Sequence, residues 1–206
     1  PLELMGSHVA SGASHTTGRL HSIGYRAATA LFGHLGIEWD LRLATDAEMD
    51  ELGAWVELYK SVRELLFTGD RVRVDLGDDS VALHGVVASD ASQALFAFTA
   101  LSRSDANQTG RLYFPGLDDD ARYKLDVVMP GAKPSGYVPS PVMSNASGFL
   151  APTPGNARDY ERLNAELHER GITDQVLSGK AWANVGITTP ILNPENTVLF
   201  QLTRMS

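Results

Sequence analysis

The chain has 206 residues, 43% hydrophobic and 20% charged, enough for one large domain or two small ones with a buried core, and too apolar for wholesale disorder. A net charge of −8 and a pI near 5.2 exclude a basic nucleic-acid footprint, and no apolar run approaches the ~18 residues of a membrane span. Cysteine is absent, which excludes disulfides, thiolate nucleophiles and thiolate metal sites.

Residues 1–69 alternate short strand-like and longer helix-like pieces. Glu3 to Val9 reads as a strand, followed by the Gly/Ser/Thr-rich stretch Ala10 to Gly18. Leu20, Ile23, Ala27, Leu31 and His34 recur at spacings of three and four, which predicts one helical face, with Thr16 or Thr17 as N-cap and Gly33 and Gly36 at the end. Ile37, Trp39 and Leu41 alternate with Glu38 and Asp40, the period of a strand. Thr45-Asp46-Ala47-Glu48 is a capping box, and the stripe Met49, Leu52, Val56, Tyr59 and Leu66, interrupted by Arg63, predicts a long helix closed by Gly69. Strand, helix, strand, helix with short connections implies parallel strands. Two such units cannot make a stable α/β sheet alone, so this half reads as the tail of something larger, and the start at Pro1 without an initiator Met fits that expectation.

From Gly69 onward the period changes to two. Arg71 to Leu76, Val81 to Ser89, Gln93 to Ser102, Arg111 to Phe114, Tyr123 to Met129 and Thr197 to Arg204 read as strands of an antiparallel sandwich or open barrel. Gly77-Asp78-Asp79 marks a turn, Pro130 to Asn156 a long loop, and Asp159 to Arg170 a helix.

Several residue groups invite a chemical reading. Glu38 and Asp40, at i and i+2 on a strand, share a face; paired carboxylates hydrolyse glycosides, but they also cap helices or pair with arginines such as Arg42 or Arg19. His8, His15, His21 and His34 are spaced so that no helical face gathers them, which argues for ordinary histidines over a metal site. His8 stands apart because it lies at the end of a parallel strand, the end that faces the active site in α/β barrels, and Asp40 is placed similarly. Trp39, Trp55 and Trp182 could stack on sugars, although the settings of Trp39 and Trp55 favour core packing.

Three stretches carry a resemblance: Met5-Gly6-Ser7-His8-Val9, Ser14-His15-Thr16-Thr17-Gly18-Arg19, and Leu31 through Leu41 with its Gly33-His34-Leu35-Gly36-Ile37-Glu38-Trp39-Asp40 centre. Together with Tyr59 to Arg63, Gly116-Leu117-Asp118 followed by Tyr123, and Val185-Gly186-Ile187 with Pro190 and Pro194-Glu195, the sequence resembles α-galactosidases of glycoside hydrolase family 36. The resemblance implies that residues 1–69 are the last two βα units of a (β/α)8 catalytic barrel and residues 70–206 a C-terminal antiparallel, sandwich-like β domain: α/β followed by all-β. It implies a parent enzyme that releases terminal α-linked galactose from oligosaccharides with retention of configuration, with nucleophile and acid/base both upstream of Pro1. No catalytic residue is then expected in this chain; His8 is the candidate for substrate binding, and Glu38 and Asp40 fall back to supporting positions. No metal and no cofactor are expected. The expected partners are the α-galactoside, the missing N-terminal part of the same protein and a further copy in a homo-oligomer, without nucleic acid or membrane, in the cytoplasm. The alternative is a non-catalytic module for support, oligomer contacts or carbohydrate binding.

Overall fold

A computed structural model describes residues 2–106, 110–138 and 176–206. The helix expected over 159–170 and most of the loop expected over 130–156 lie outside the described residues.

The first half contains a parallel strand pair. β1 (Gly6–Ala10) and β2 (His34–Glu38) run side by side from Gly6↔His34 to Ala10↔Glu38, joined by α1 (Ile23–Ala30). The first strand starts later than expected, after a 3-10 turn at Leu2–Leu4. The helix also starts later, capped by Ser22, whose Oγ accepts from Tyr25 N at 3.2 Å, and not by Thr16 or Thr17. The reason is a hairpin that uses its own backbone. Ser14 N donates to Arg19 O (2.9 Å), Gly18 N donates to Ser14 O (2.8 Å), and Ala13 bridges Leu20. Gly18 supplies the left-handed turn at φ 68°, and Leu20 is left outside the helix, 79% exposed. At the other end, Gly33 sits where β1 begins; a Cβ there would lie 2.8 Å from Met5 O. Gly36 belongs to β2 instead of ending a helix.

The expected strand through Leu41 stops at Glu38, and a 3-10 turn at Leu41–Leu43 follows. Next, α2 (Asp46–Thr68) begins with the complete capping box: Glu48 N donates to Thr45 Oγ1 at 3.3 Å and Thr45 N to Glu48 Oε2 at 2.8 Å. Gly69 N, donating to Leu65 O, closes it. The buried stripe is Leu52, Trp55, Val62, Leu65 and Leu66, rotated from the expected one; Met49 stays 40% exposed. Burying Trp55, the larger apolar surface, sets the rotation.

The second half is built on one antiparallel sheet. Its strands are β3 (Asp70–Val74), β4 (Val81–Val87), β5 (Gln93–Ala100), β7 (Arg122–Val128), β8 (Val176–Ser178) and β10 (Asn196–Arg204), in the order β3-β4-β5-β10-β7-β8. A separate pair, β6 (Arg111–Leu112) with β9 (Ile187–Thr188), and the short helix α3 (Gly179–Asn184) lie over it.

Period-two alternation sends the two faces of the sheet into two cores. Val86, Leu95, Ala97 and Leu199 pack with Val9, Leu31, Trp55 and Leu66 from the first half. Leu83, Phe96, Phe98, Val198 and Phe200 pack with Leu112, Phe114, Trp182 and Ile187. The large sheet is therefore a middle layer, covered by helices on one face and by the small sheet with α3 on the other. The sandwich expectation holds for the second face only, because the apolar stripes of α1 and α2 occupy the first.

Candidate functional site

The site lies on β1 and β2, at the middle residue of the first, His8, and the last residue of the second, Glu38. Val9 is fully buried and Leu35 packs beside it against the helical core. Strand alternation then places His8, Gly36 and Glu38 together on the opposite face. There His8 Nε2 lies 2.7 Å from Glu38 Oε2, and the two side chains are 55% and 72% exposed. With Nε2 turned to Glu38, the pair offers a hydroxylated ligand the other ring nitrogen, Nδ1, and the second carboxylate oxygen as acceptors.

Glu38 and Asp40 do not form a carboxylate pair on one strand. The strand ends between them, and Asp40 turns to cap the 3-10 turn, its Oδ1 accepting from Arg42 N at 3.2 Å. The Arg42 guanidinium also forks onto it at 2.8 and 2.7 Å, and these bonds hold the Asp40 carboxyl below its usual range. Asp40 is thus committed to Arg42, and Glu38 faces His8.

Arg26 of α1 ties the ends of these two strands together. Its Nη1 donates to Ala10 O at the end of β1, its Nε to His21 O at 3.2 Å, and its guanidinium lies 5.2 Å over the Trp39 ring beyond β2. Burial pulls its pKa below the ordinary guanidinium value, opposed by the charges of Glu48 and Glu51. The hairpin after β1 is anchored elsewhere as well: Arg19 Nη1 donates to Glu195 Oε1, His21 Nε2 sits 3.3 Å from Glu195 Oε2, and the His21 ring packs 5.2 Å from Tyr25. Burial, reinforced by Glu195, pushes the Tyr25 hydroxyl up.

The roles of Arg26 and Glu195 escaped the sequence reading, although Pro194-Glu195 is among the stretches that carry the resemblance. Arg26 is one polar residue on a short amphipathic helix, with no spacing that marks it. Glu195 lies 176 residues from Arg19, and only the fold joins them.

The other candidates have structural roles. His34 packs against Phe67 at 4.6 Å, and among the described residues no group of three His, Asp or Glu side chains could hold a metal. Trp182 is fully buried with Nε1 donating to Tyr123 O at 3.0 Å, Trp55 is buried, and Trp39 is half-buried under Arg26. A cleft of about 160 Å³ between α1, α2 and the end of β7 has Tyr25, Trp55, Lys133 and Asn196 on its walls; neither His8 nor Glu38 lines it.

Two family models match the chain. A family model described as Melibiase matches residues 1–69, and one described as the glycosyl hydrolase family 36 C-terminal domain matches residues 81–202. The chain belongs to glycosyl hydrolase family 36. An alpha-galactosidase of Escherichia coli is 36% identical over 204 residues, 99% of this chain and 26% of that protein. The chain spans about a quarter of the length of that family relative. Among solved structures of the family, the alpha-galactosidase from Lactobacillus brevis superposes with a TM-score of 0.70 at 24% identity, covering 100% of this chain and 23% of that one. The alpha-galactosidase AgaA from Geobacillus stearothermophilus, solved in complex with raffinose, gives 0.69 at 22% identity, covering 100% and 22%. At these identities the likeness to the solved structures is one of fold.

Proposed function

We propose that the chain is the C-terminal portion of an α-galactosidase that removes terminal α-linked galactose from oligosaccharides of the raffinose type, with retention of configuration. The observation that carries this reading is the 36% identity to the Escherichia coli enzyme across 204 residues, which includes both strand ends and the hairpin after β1. Solved complexes of the related AgaA with raffinose and stachyose supply the substrate class.

In this reading residues 1–69 close a (β/α)8 barrel and residues 70–206 form the C-terminal β domain. Strand carboxyl ends line the active site of such barrels, and in this reading His8 faces the sugar, where its Nδ1, the ring nitrogen not turned to Glu38, accepts from a hydroxyl. Glu38 orients the imidazole through their 2.7 Å contact. Asp40 with Arg42 shapes the following turn and stands outside the chemistry. Retaining hydrolysis needs two carboxyl groups about 5 Å apart across the anomeric carbon, one as nucleophile and one as acid/base. Both come from residues outside this chain, so the chain by itself is inactive.

The test is turnover of a chromogenic α-galactoside and of raffinose by the full-length protein beside the 206-residue chain. Turnover by the full-length protein alone is expected. Turnover by the short chain within about tenfold of the parent would return the catalytic carboxylates to this sequence, with Glu38 and Asp40 first in line. An inactive parent would refute the α-galactosidase assignment. His8→Ala in the full-length protein should weaken raffinose binding; unchanged turnover and affinity would remove His8 from the site.

A further inference from the structure

We infer that Glu195 of the β domain is a positioning residue for the mouth of the barrel: it holds the hairpin after β1 in its working place through Arg19 and His21. The inference rests on the α-galactosidase reading for its effect on substrate, and on the geometry alone for the contact.

The hairpin is set at the functionally important end of the fold, since it follows directly from the carboxyl end of β1. Its inner geometry is fixed by its own bonds: Ser14 to Arg19 and Gly18 to Ser14 along the backbone, and Thr17 N donating to Ser14 Oγ at 3.3 Å. Those bonds shape the hairpin but do not decide where it sits over the mouth. Its placement depends on contacts to other elements. At its base Arg26 binds Ala10 O and His21 O. Beyond the base, Arg19 and His21 both reach the carboxylate of Glu195, which comes from the turn before β10.

Two features show that the turn is arranged to present that carboxylate. Glu195 has φ 59°, the left-handed region in which glycine carries no penalty and a side chain does. A glycine would relieve the backbone but would leave Arg19 and His21 without their anion. The turn is also pinned on both sides. Glu195 N donates to Ala100 O at 2.7 Å, and the Asn196 side chain donates to Asn193 O and Pro194 O at 3.3 and 3.0 Å. The Glu195 side chain is only 27% exposed, and that of His21 15%, so the contact is partly shielded from solvent. A rigid antiparallel sheet therefore fixes an anion against a loop whose own bonds leave its position undetermined, which is how a remote element sets the geometry of a binding site.

The experiment uses the full-length enzyme with Glu195→Ala, Arg19→Ala, the double variant, and the exchanged pair Arg19→Glu with Glu195→Arg. Hydrogen exchange reports the hairpin directly. In Glu195→Ala the amides of residues 14–21 should exchange several times faster while those of β5 and β10 keep their protection. For raffinose, KM should rise about fivefold with kcat within about twofold, the size expected for one partly exposed ion pair acting on binding. The double variant should be no worse than Glu195→Ala, which already loses both the Arg19 and the His21 contact, and the exchanged pair should recover part of the loss. Unchanged exchange at 14–21 in Glu195→Ala would overturn the anchoring. Faster exchange with unaltered KM would overturn the positioning role, as would an equal fall of protection throughout the sheet. Should the parent enzyme lack α-galactosidase activity, the effect on substrate falls with that assignment, and hydrogen exchange still decides the anchoring.

Discussion

Truncating Phe114 tests how the second core is held. The ring is fully buried and meets Phe96, Phe200 and Trp182 edge to face, with centroids 5.2, 5.6 and 5.9 Å away. These neighbours come from β5, β10 and α3, and Phe114 N is itself bonded to Trp182 O at 3.1 Å. Phe114→Ala removes the one side chain common to all three contacts. Two walls of the resulting cavity belong to adjacent central strands locked in register at Phe200↔Phe96, so they cannot collapse inward. The loss should therefore lie in the range of about 3–5 kcal/mol for buried Phe→Ala changes, and toward its upper end because of the three aromatic contacts. For a chain of this size that corresponds to a fall in Tm of about 10 °C or more. Phe114→Leu keeps much of the volume and should cost about 1–2 kcal/mol. Urea unfolding of the 206-residue chain, followed by tryptophan fluorescence, gives both values. A Phe114→Ala loss below about 1 kcal/mol, or equal losses for the two variants, would refute the claim that this ring joins the small layer to the sheet.

Three further outcomes are expected. Gly186→Ala should destabilise by more than about 2 kcal/mol, read as a shift in urea midpoint: its φ is 56° and the new Cβ would lie 1.8 Å from Leu112 O, where β6 meets β9. Thr45→Ala should cost about 1 kcal/mol by thermal unfolding, and Thr45→Ser much less, because the hydroxyl supplies the cap bond. Burial, with Arg71 and Arg73 nearby, pulls the His84 pKa below its ordinary value. The folded state thus disfavours its proton, so its contribution is fully present above about pH 6.5 and is lost as pH falls through the depressed folded value. Stability measured between pH 7.5 and 5 should decline, and His84→Gln should flatten that decline; parallel pH curves would argue against it.

Local signals in the sequence were reliable where the chain bonds to itself or alternates strictly. The Thr45–Glu48 box, the stop at Gly69 and the strands around Val81–Val87, Gln93–Ala100 and Asn196–Arg204 are of this kind. The start of α1 was misread because Ser14, Thr17 and Gly18 close a hairpin first, which periodicity does not register. β9 and α3 are too short for a period to show; tertiary packing of Ile187 and Trp182 makes them. At the site, the sequence placed His8 at the end of its strand, whereas β1 runs on to Ala10 and His8 is its middle residue; its contact with Glu38 follows from the parallel register. The pairing of Glu38 with Asp40 was not sustained, because Asp40 lies two residues beyond the strand end and turns to cap the following 3-10 turn. Arg26 and Glu195 act through contacts distant in sequence, which no one-dimensional pattern encodes.

The place of β10 in the middle of the sheet bears on how the protein is made. Residues 196–203 pair with β5 and residues 199–204 with β7, so neither neighbour has its inner partner until the ribosome has translated this strand. About 68 residues separate the end of β7 at Val128 from the start of β10 at Asn196, roughly 3–14 s of synthesis at ordinary rates. During that interval the apolar edge of β5, with Phe96 and Phe98, has no inner strand beside it. The nascent protein is most exposed to aggregation then, and a messenger or host that slows translation between these two strands lengthens the period in which a chaperone must shield it.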